Sequence, residues 1–194
     1  MSPTLIVHSH HPDIHWEAGP EYRARLSKGL EFLTQNKASQ ILLTGGYADT
    51  NNPTLHYARV WEKWLESQWA DMRKVAREGD IGRSRESIGE LVFARIEQNS
   101  GLLSHEHNII LLSSDYHIKR LWEIAKQIFG MREISYHGVA GFHRSEELEI
   151  SSLEAFRTTF AGIPIGDLQA IEERLWESHW LYKDHPNNPN NTTA

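Results

Sequence analysis

The chain has 194 residues, 39% of them hydrophobic and 24% charged, which suits one globular domain and excludes a disordered chain. A full eight-fold barrel needs about 250 residues and is excluded by length. With 20 Lys plus Arg against 26 Asp plus Glu the net charge is −6, the wrong sign for non-specific nucleic-acid binding, and the lack of cysteine removes disulfides, thiolate metal sites and cysteine nucleophiles.

The first residues lack the basic segment and long apolar core of a secretion signal. No apolar run approaches the ~20 residues needed to span a bilayer. The expectation is a soluble cytoplasmic protein with neither a membrane nor a nucleic-acid partner.

Thr4–His8 is a short apolar run of the kind found in strands buried on both faces. From Glu21 the pattern becomes helical, with Tyr22, Leu26, Leu30 and Leu33 on one side. Ile41–Thr44 forms a second apolar strand, closed by Gly45 and Gly46. Pro53 and Thr54 open a helix whose stripe is Tyr57, Val60, Trp61, Trp64 and Leu65, and residues 69–77 read as its extension. Further helices are expected over Ser87–Gln98, Tyr116–Phe129, Glu149–Phe160 and Asp167–Leu181, and further strands over Asn108–Ser113 and Glu133–Val139. Residues 184–194 lack periodicity and read as a flexible tail behind a single domain, 1–183.

Strands alternating with helices predict a three-layer α/β/α sandwich with a mainly parallel, Rossmann-like sheet. Ligands of such sheets bind beyond the carboxyl ends of the strands. Three loops are thereby singled out. After the second strand, Thr44, Gly45 and Gly46 offer backbone donors that can approach an anion closely. The missing Lys-Ser/Thr excludes a nucleotide P-loop. Before the next-to-last strand's helix stand Ser113, Ser114, Asp115, Tyr116, His117 and Arg120. A helix start suits a phosphate or carboxylate, Arg120 can grip it with two donors, and His117 can transfer a proton. Glu86 and Ser87, at the start of the middle helix, offer polar contacts across the cleft, within a locally basic stretch from Arg73 to Arg85.

The third loop, after the first strand, carries His8, His10 and His11 with Asp13 and His15, a composition that suits zinc, nickel or iron. A metal-dependent hydrolase is therefore an alternative, with His117, His137, His143 or Asp115 as further ligands. A non-catalytic binding protein is another alternative, with Trp16, Trp69 and Trp180 available to line a ligand surface.

The order of these pieces resembles the YdcF-like family, also called domain of unknown function 218. The resemblance rests on Arg25-Leu26, Leu43-Thr-Gly-Gly46, Glu86-Ser-Ile-Gly89 and Ser114-Asp-Tyr-His-Ile-Lys-Arg120, and covers roughly residues 4–182. This chain has His8-Ser-His-His11 where many members are glycine-rich, and Ser87-Ile-Gly-Glu90 where many have Thr-x-Glu-Asn. The resemblance implies a parallel Rossmann-like sheet and a small anionic or nucleotide-like ligand, S-adenosylmethionine among the candidates. The expected site joins His117 as acid/base and Arg120 as charge stabiliser with Arg25, Thr44, Gly45, Gly46, Glu86, Ser87, Ser113, Ser114, Asp115 and Tyr116 as ligand contacts. The expected chemistry is hydrolysis or group transfer at a phosphate or similar centre.

Overall fold

A computed structural model describes residues 3–10, 17–45, 56–68, 72–77, 84, 86–99, 108–130, 134–184 and 188–191. Five strands, β1 (Thr4–Val7), β2 (Gln40–Leu43), β3 (Val75–Arg77), β4 (Ile109–Ser114) and β5 (Ile134–Val139), pair in parallel in the order β3-β2-β1-β4-β5. The register sets Leu5 beside Ile41 and Ile110, and Val7 beside Leu43 and Leu112. Strands of this composition must be covered on both faces, because side chains alternate across a sheet. Leu5, Val7, Ile41, Leu43, Ile110 and Leu112 meet one layer; Ile6, Leu42, Ile109 and Leu111 meet the other.

The first layer is α1 (Pro20–Thr34) and α2 (Tyr57–Gln68). Pro20 opens α1 where its missing N–H costs nothing. The second layer is α3 (Ser87–Asn99) and α4 (Asp115–Phe129), backed by α5 (Glu146–Thr159) and α6 (Leu168–Ser178). This is the three-layer α/β/α sandwich expected from the alternation of elements. No described helix is long and apolar enough to cross a membrane.

Of the expected helical extension over 69–77, residues 69–71 lie outside the described residues and 72–77 depart from it. Met72–Lys74 makes a 3-10 turn, and Val75–Arg77 pairs with Ile41–Leu43 as the sheet's edge strand. The tail also returns to the domain in part. Asn188 is buried, and its amide donates to the carbonyls of Trp176 (3.0 Å), Tyr182 (3.3 Å) and Lys183 (2.8 Å).

The strand order positions the site. The chain builds β1, β2 and β3 outward in one direction, then crosses back to lay β4 on the other side of β1. Loops leaving β1 and β4 therefore diverge, and a crevice opens between them at the carboxyl edge. The start of α3 and one face of α5 close this crevice from the second layer.

Candidate active site

A cavity of about 780 Å³ lies at that edge. Its polar end is formed by His8 and Ser9 after β1, Glu86, Ser87 and Glu90 from α3, His117 and Arg120 from α4, and Arg144 before α5. A different chemistry forms the opposite wall. Ser152, Ala155, Phe156 and Thr159 recur at i, i+3, i+4 and i+7, so they share one face of α5. Three of these are small, and a helix face without bulk leaves space. Trp180 and Leu181 extend the apolar wall from beyond α6. Their segment is anchored by Tyr182, whose ring lies where any side chain on Gly89 would stand.

One hydrogen-bonded chain runs along the polar end. The Glu90 carboxylate accepts from His8 Nδ1, the hydroxyls of Ser9 and Thr44, and the Ser9 amide (3.1 Å). His8 Nε2 stands 3.1 Å from Ser87 Oγ, which stands 3.2 Å from His117 Nε2. Arg120 Nη2 donates to that same nitrogen at 2.8 Å, and His117 Nδ1 reaches Ser113 Oγ at 3.3 Å. Arg120 also holds Glu149 through Nε at 2.7 Å, and Arg144 donates to the other Glu149 oxygen at 3.2 Å.

Two ionisations set the chemistry of this chain. Burial opposes a charged Glu90, yet the neighbouring His8 and the hydrogen bonds from His8, Ser9 and Thr44 prevail and hold its carboxyl down at about 2. For His117, burial first, and then its electropositive neighbours, Arg120, Arg25 and Arg144 among them, push the pKa well below the usual imidazole value. A neutral His117 that accepts from Arg120 at Nε2 carries its proton on Nδ1, facing Ser113. At neutral pH it has no proton to give into the cavity, so the geometry supports it as a brace for Arg120 rather than as the expected acid.

Glu86 behaves differently. It precedes α3 and receives the amides of Ile88 (2.8 Å) and Gly89 (2.9 Å). Burial raises its pKa to about 7 despite these bonds. Its carboxyl also occupies the helix-start donors that an anionic ligand would otherwise use.

Several expected ligand contacts serve the frame instead. Arg25 is fully buried beneath the site. Its Nη1 donates to the carbonyls of His8 (2.9 Å) and Ser9 (2.8 Å), its Nε and Nη2 to Ser114 Oγ (3.1 and 3.0 Å), and Nη2 also to Glu21. All five guanidinium N–H groups are thereby engaged, leaving none for a ligand. Ser114 Oγ donates to Glu21 Oε1 at 2.5 Å, and Tyr116 donates to the same oxygen at 2.8 Å. Tyr116 still lines the cavity. Burial and the hydrogen bond to Glu21 push its phenol up to about 12.

Thr44 is buried against Glu90 and the Ser9 amide (3.1 Å). Gly45 has φ +112°, and a Cβ there would meet the Cβ atoms of Ser9 and Tyr57 at 2.8 and 2.9 Å, so its lack of a side chain serves packing. Asp115 turns to Gly138 of β5, away from the cavity. Gly46 and His11 lie outside the described residues, as do Trp16, Trp69, Arg83 and Arg85.

The histidine loop does not assemble the alternative metal site among the described residues. His8 commits one nitrogen to Glu90 and the other to Ser87, while His10 turns to Glu21 at 3.2 Å. Among the described residues no group of three or more His, Asp or Glu side chains is placed to hold a metal ion.

Sequence reasoning missed Ser9, Glu149 and Arg144. Glu90 was named only as a departure from a family pattern. Its spacing of three from Ser87 reads as an ordinary helix-capping pair, and nothing local reveals that it faces His8, 82 residues away. No protein-family model, curated protein or solved structure matches this chain.

Proposed function

We propose that this is a cytoplasmic YdcF-like enzyme that binds a small anionic substrate in the β1/β4 crevice and carries out hydrolysis or group transfer on it. One observation carries the reading. Two guanidinium groups that line the cavity with Ser87 and His117, those of Arg120 and Arg144, share a single carboxylate, Glu149. On this side of the cavity two cations face one carboxylate, while Glu90 and Glu86 across the cleft are already engaged, the first by His8, Ser9 and Thr44 and the second by the α3 amides, so the arginine wall is locally positive in a protein of net charge −6. A phosphate or carboxylate answers it: with Arg120 Nε and Nη2 engaged by Glu149 and His117, Nη1 is the edge left to donate to such a group. The wall of Ala155, Phe156, Trp180 and Leu181 then receives an apolar or planar body. A nucleoside-like ligand such as S-adenosylmethionine fits the same division, with its carboxylate toward the arginines.

The test is calorimetric titration with para-nitrobenzylphosphonate, an anion with an aromatic body, and separately with S-adenosylmethionine. Wild type should bind one equivalent of the phosphonate, and Arg120→Ala should weaken it roughly 10- to 100-fold, the worth of one charge-assisted contact. Equal affinity in the two proteins, or no binding by wild type, would remove the reading. Saturable S-adenosylmethionine binding with the same Arg120 dependence would identify the nucleoside class.

A further inference from the structure

We propose that Ser87 is a covalent nucleophile, activated by His8 and oriented by Glu90, and that the substrate is a carboxylic ester bearing a negative charge. This rests on the binding reading above and adds to it the reacting atom and the bond that breaks.

The geometry is a carboxylate, an imidazole and a hydroxyl in series. Glu90 accepts from His8 Nδ1, which leaves Nε2 facing Ser87 Oγ at 3.1 Å. That order is recognised by geometry and roles and recurs on unrelated folds. Ser87 and Glu90 stand one turn apart at the start of α3, while His8 arrives from the end of β1. Glu90 is held by donors from Ser9 and Thr44, so the imidazole it orients has little freedom.

Ser87 Oγ has a second imidazole neighbour, His117 Nε2 at 3.2 Å. That nitrogen already receives an N–H from Arg120 at 2.8 Å. The Ser87 proton therefore has His8 Nε2 as its open acceptor. Donors from Ser9 and Thr44 also stabilise the Glu90 carboxylate as the acceptor that orients His8.

A purely structural network would serve equally well sealed in the core. Here Ser87, His8 and Glu90 all border the 780 Å³ cavity. Arg120 reaches the same His117 nitrogen as Ser87 does, which sets a fixed cation next to any oxygen that gains charge when Ser87 adds to a carbonyl. Arg144 stands at the same carboxylate and takes the substrate's own charge.

The steps balance without a further reagent. Ser87 Oγ bonds to the acyl carbon as its proton passes to His8 Nε2, and the carbonyl electron pair moves onto oxygen beside Arg120. Collapse breaks the bond to the alcohol oxygen, which leaves with the proton from His8. Water then adds to the Ser87 ester and gives a proton to His8. The second collapse expels Ser87 Oγ, which recovers that proton. Ester and water become acid and alcohol, with no change in oxidation state.

The test is covalent trapping with a fluorophosphonate probe, the adduct being mapped by peptide mass spectrometry. In parallel, para-nitrophenolate release is followed from mono-para-nitrophenyl succinate, an anionic ester. The expected result is an adduct on Ser87 and a burst of one equivalent. His8→Asn and Glu90→Gln should each slow labelling at least ~100-fold. Ser87→Ala should lose adduct and turnover while still binding para-nitrobenzylphosphonate saturably, with a cooperative thermal unfolding transition that reports that it folds. A wild-type protein that binds the phosphonate but gives no adduct at Ser87 overturns the nucleophile and leaves the binding site standing. Labelling of His8→Asn at the wild-type rate overturns the role of His8. Failure to bind the phosphonate at all removes the reading on which both depend.

Discussion

Arg25 and Arg120 stand in comparable places, each on a helix that packs beside the carboxyl edge of the sheet and each paired with a glutamate. Arg25 spends every N–H on protein oxygens and binds the end of β1 to the start of α4 through Ser114 and Glu21. Arg120 borders a cavity, and its carboxylate partner is shared with a second arginine. The first arrangement is complete without a ligand. The second keeps a surplus cation at the wall of a hollow. Partner saturation, more than residue type or helix position, separates a structural arginine from a binding one.

Breaking that comparison at the reacting atom should give the largest effect. Ser87→Ala is expected to lower turnover of the anionic ester at least ~10³-fold, with thermal unfolding close to wild type, as measured by steady-state kinetics and calorimetry. At the frame, Arg25→Met should cost about 3–5 kcal/mol in urea unfolding, because Glu21 and the His8 and Ser9 carbonyls lose a buried cation together. Arg120→Met should cost less, about 1–3 kcal/mol, since Arg144 still answers Glu149, and should weaken phosphonate binding roughly 10- to 100-fold, as Arg120→Ala does. The opposite ranking of the two variants in urea would contradict the division of labour.

Gly45→Ala sharpens the same frame. A side chain at φ +112° pressed against Ser9 and Tyr57 should destabilise by about 1–3 kcal/mol, again read by urea unfolding. The smallest effect is a pH dependence. Glu86 has a folded pKa of about 7 against an ordinary 4.5. Between those values the folded state holds more protons than the unfolded state, so this group's contribution to stability falls as pH rises from about 4.5 to about 7. In Glu86→Gln that component of the slope should vanish, as measured by unfolding midpoints across the window.

The layers were legible because β1, β2 and β4 are apolar on both faces and the helices between them carry clear stripes. Val75–Arg77 was not, because three residues in a basic context have no period of their own; pairing with β2 makes them a strand. Ser87, His117 and Arg120 were legible as residues at element starts facing the carboxyl edge. Their partners were not. Glu149 reaches Arg120 from α5, and the cavity beside it exists because Ser152, Ala155 and Thr159 are small, a property that reads in sequence as mere helix surface. The crowding of His8, His10 and His11 suggested metal chemistry, yet the described structure turns His8 and His10 to different carboxylates, Glu90 and Glu21.

One hollow joins the end of β1 to the start of α4. Histidine-selective ¹⁵N NMR during titration with para-nitrobenzylphosphonate tests this most directly. The side-chain nitrogens of His8 and His117, 109 positions apart in the sequence, should shift together along one binding curve. Shifts confined to one ring, or two curves of different affinity, would contradict it.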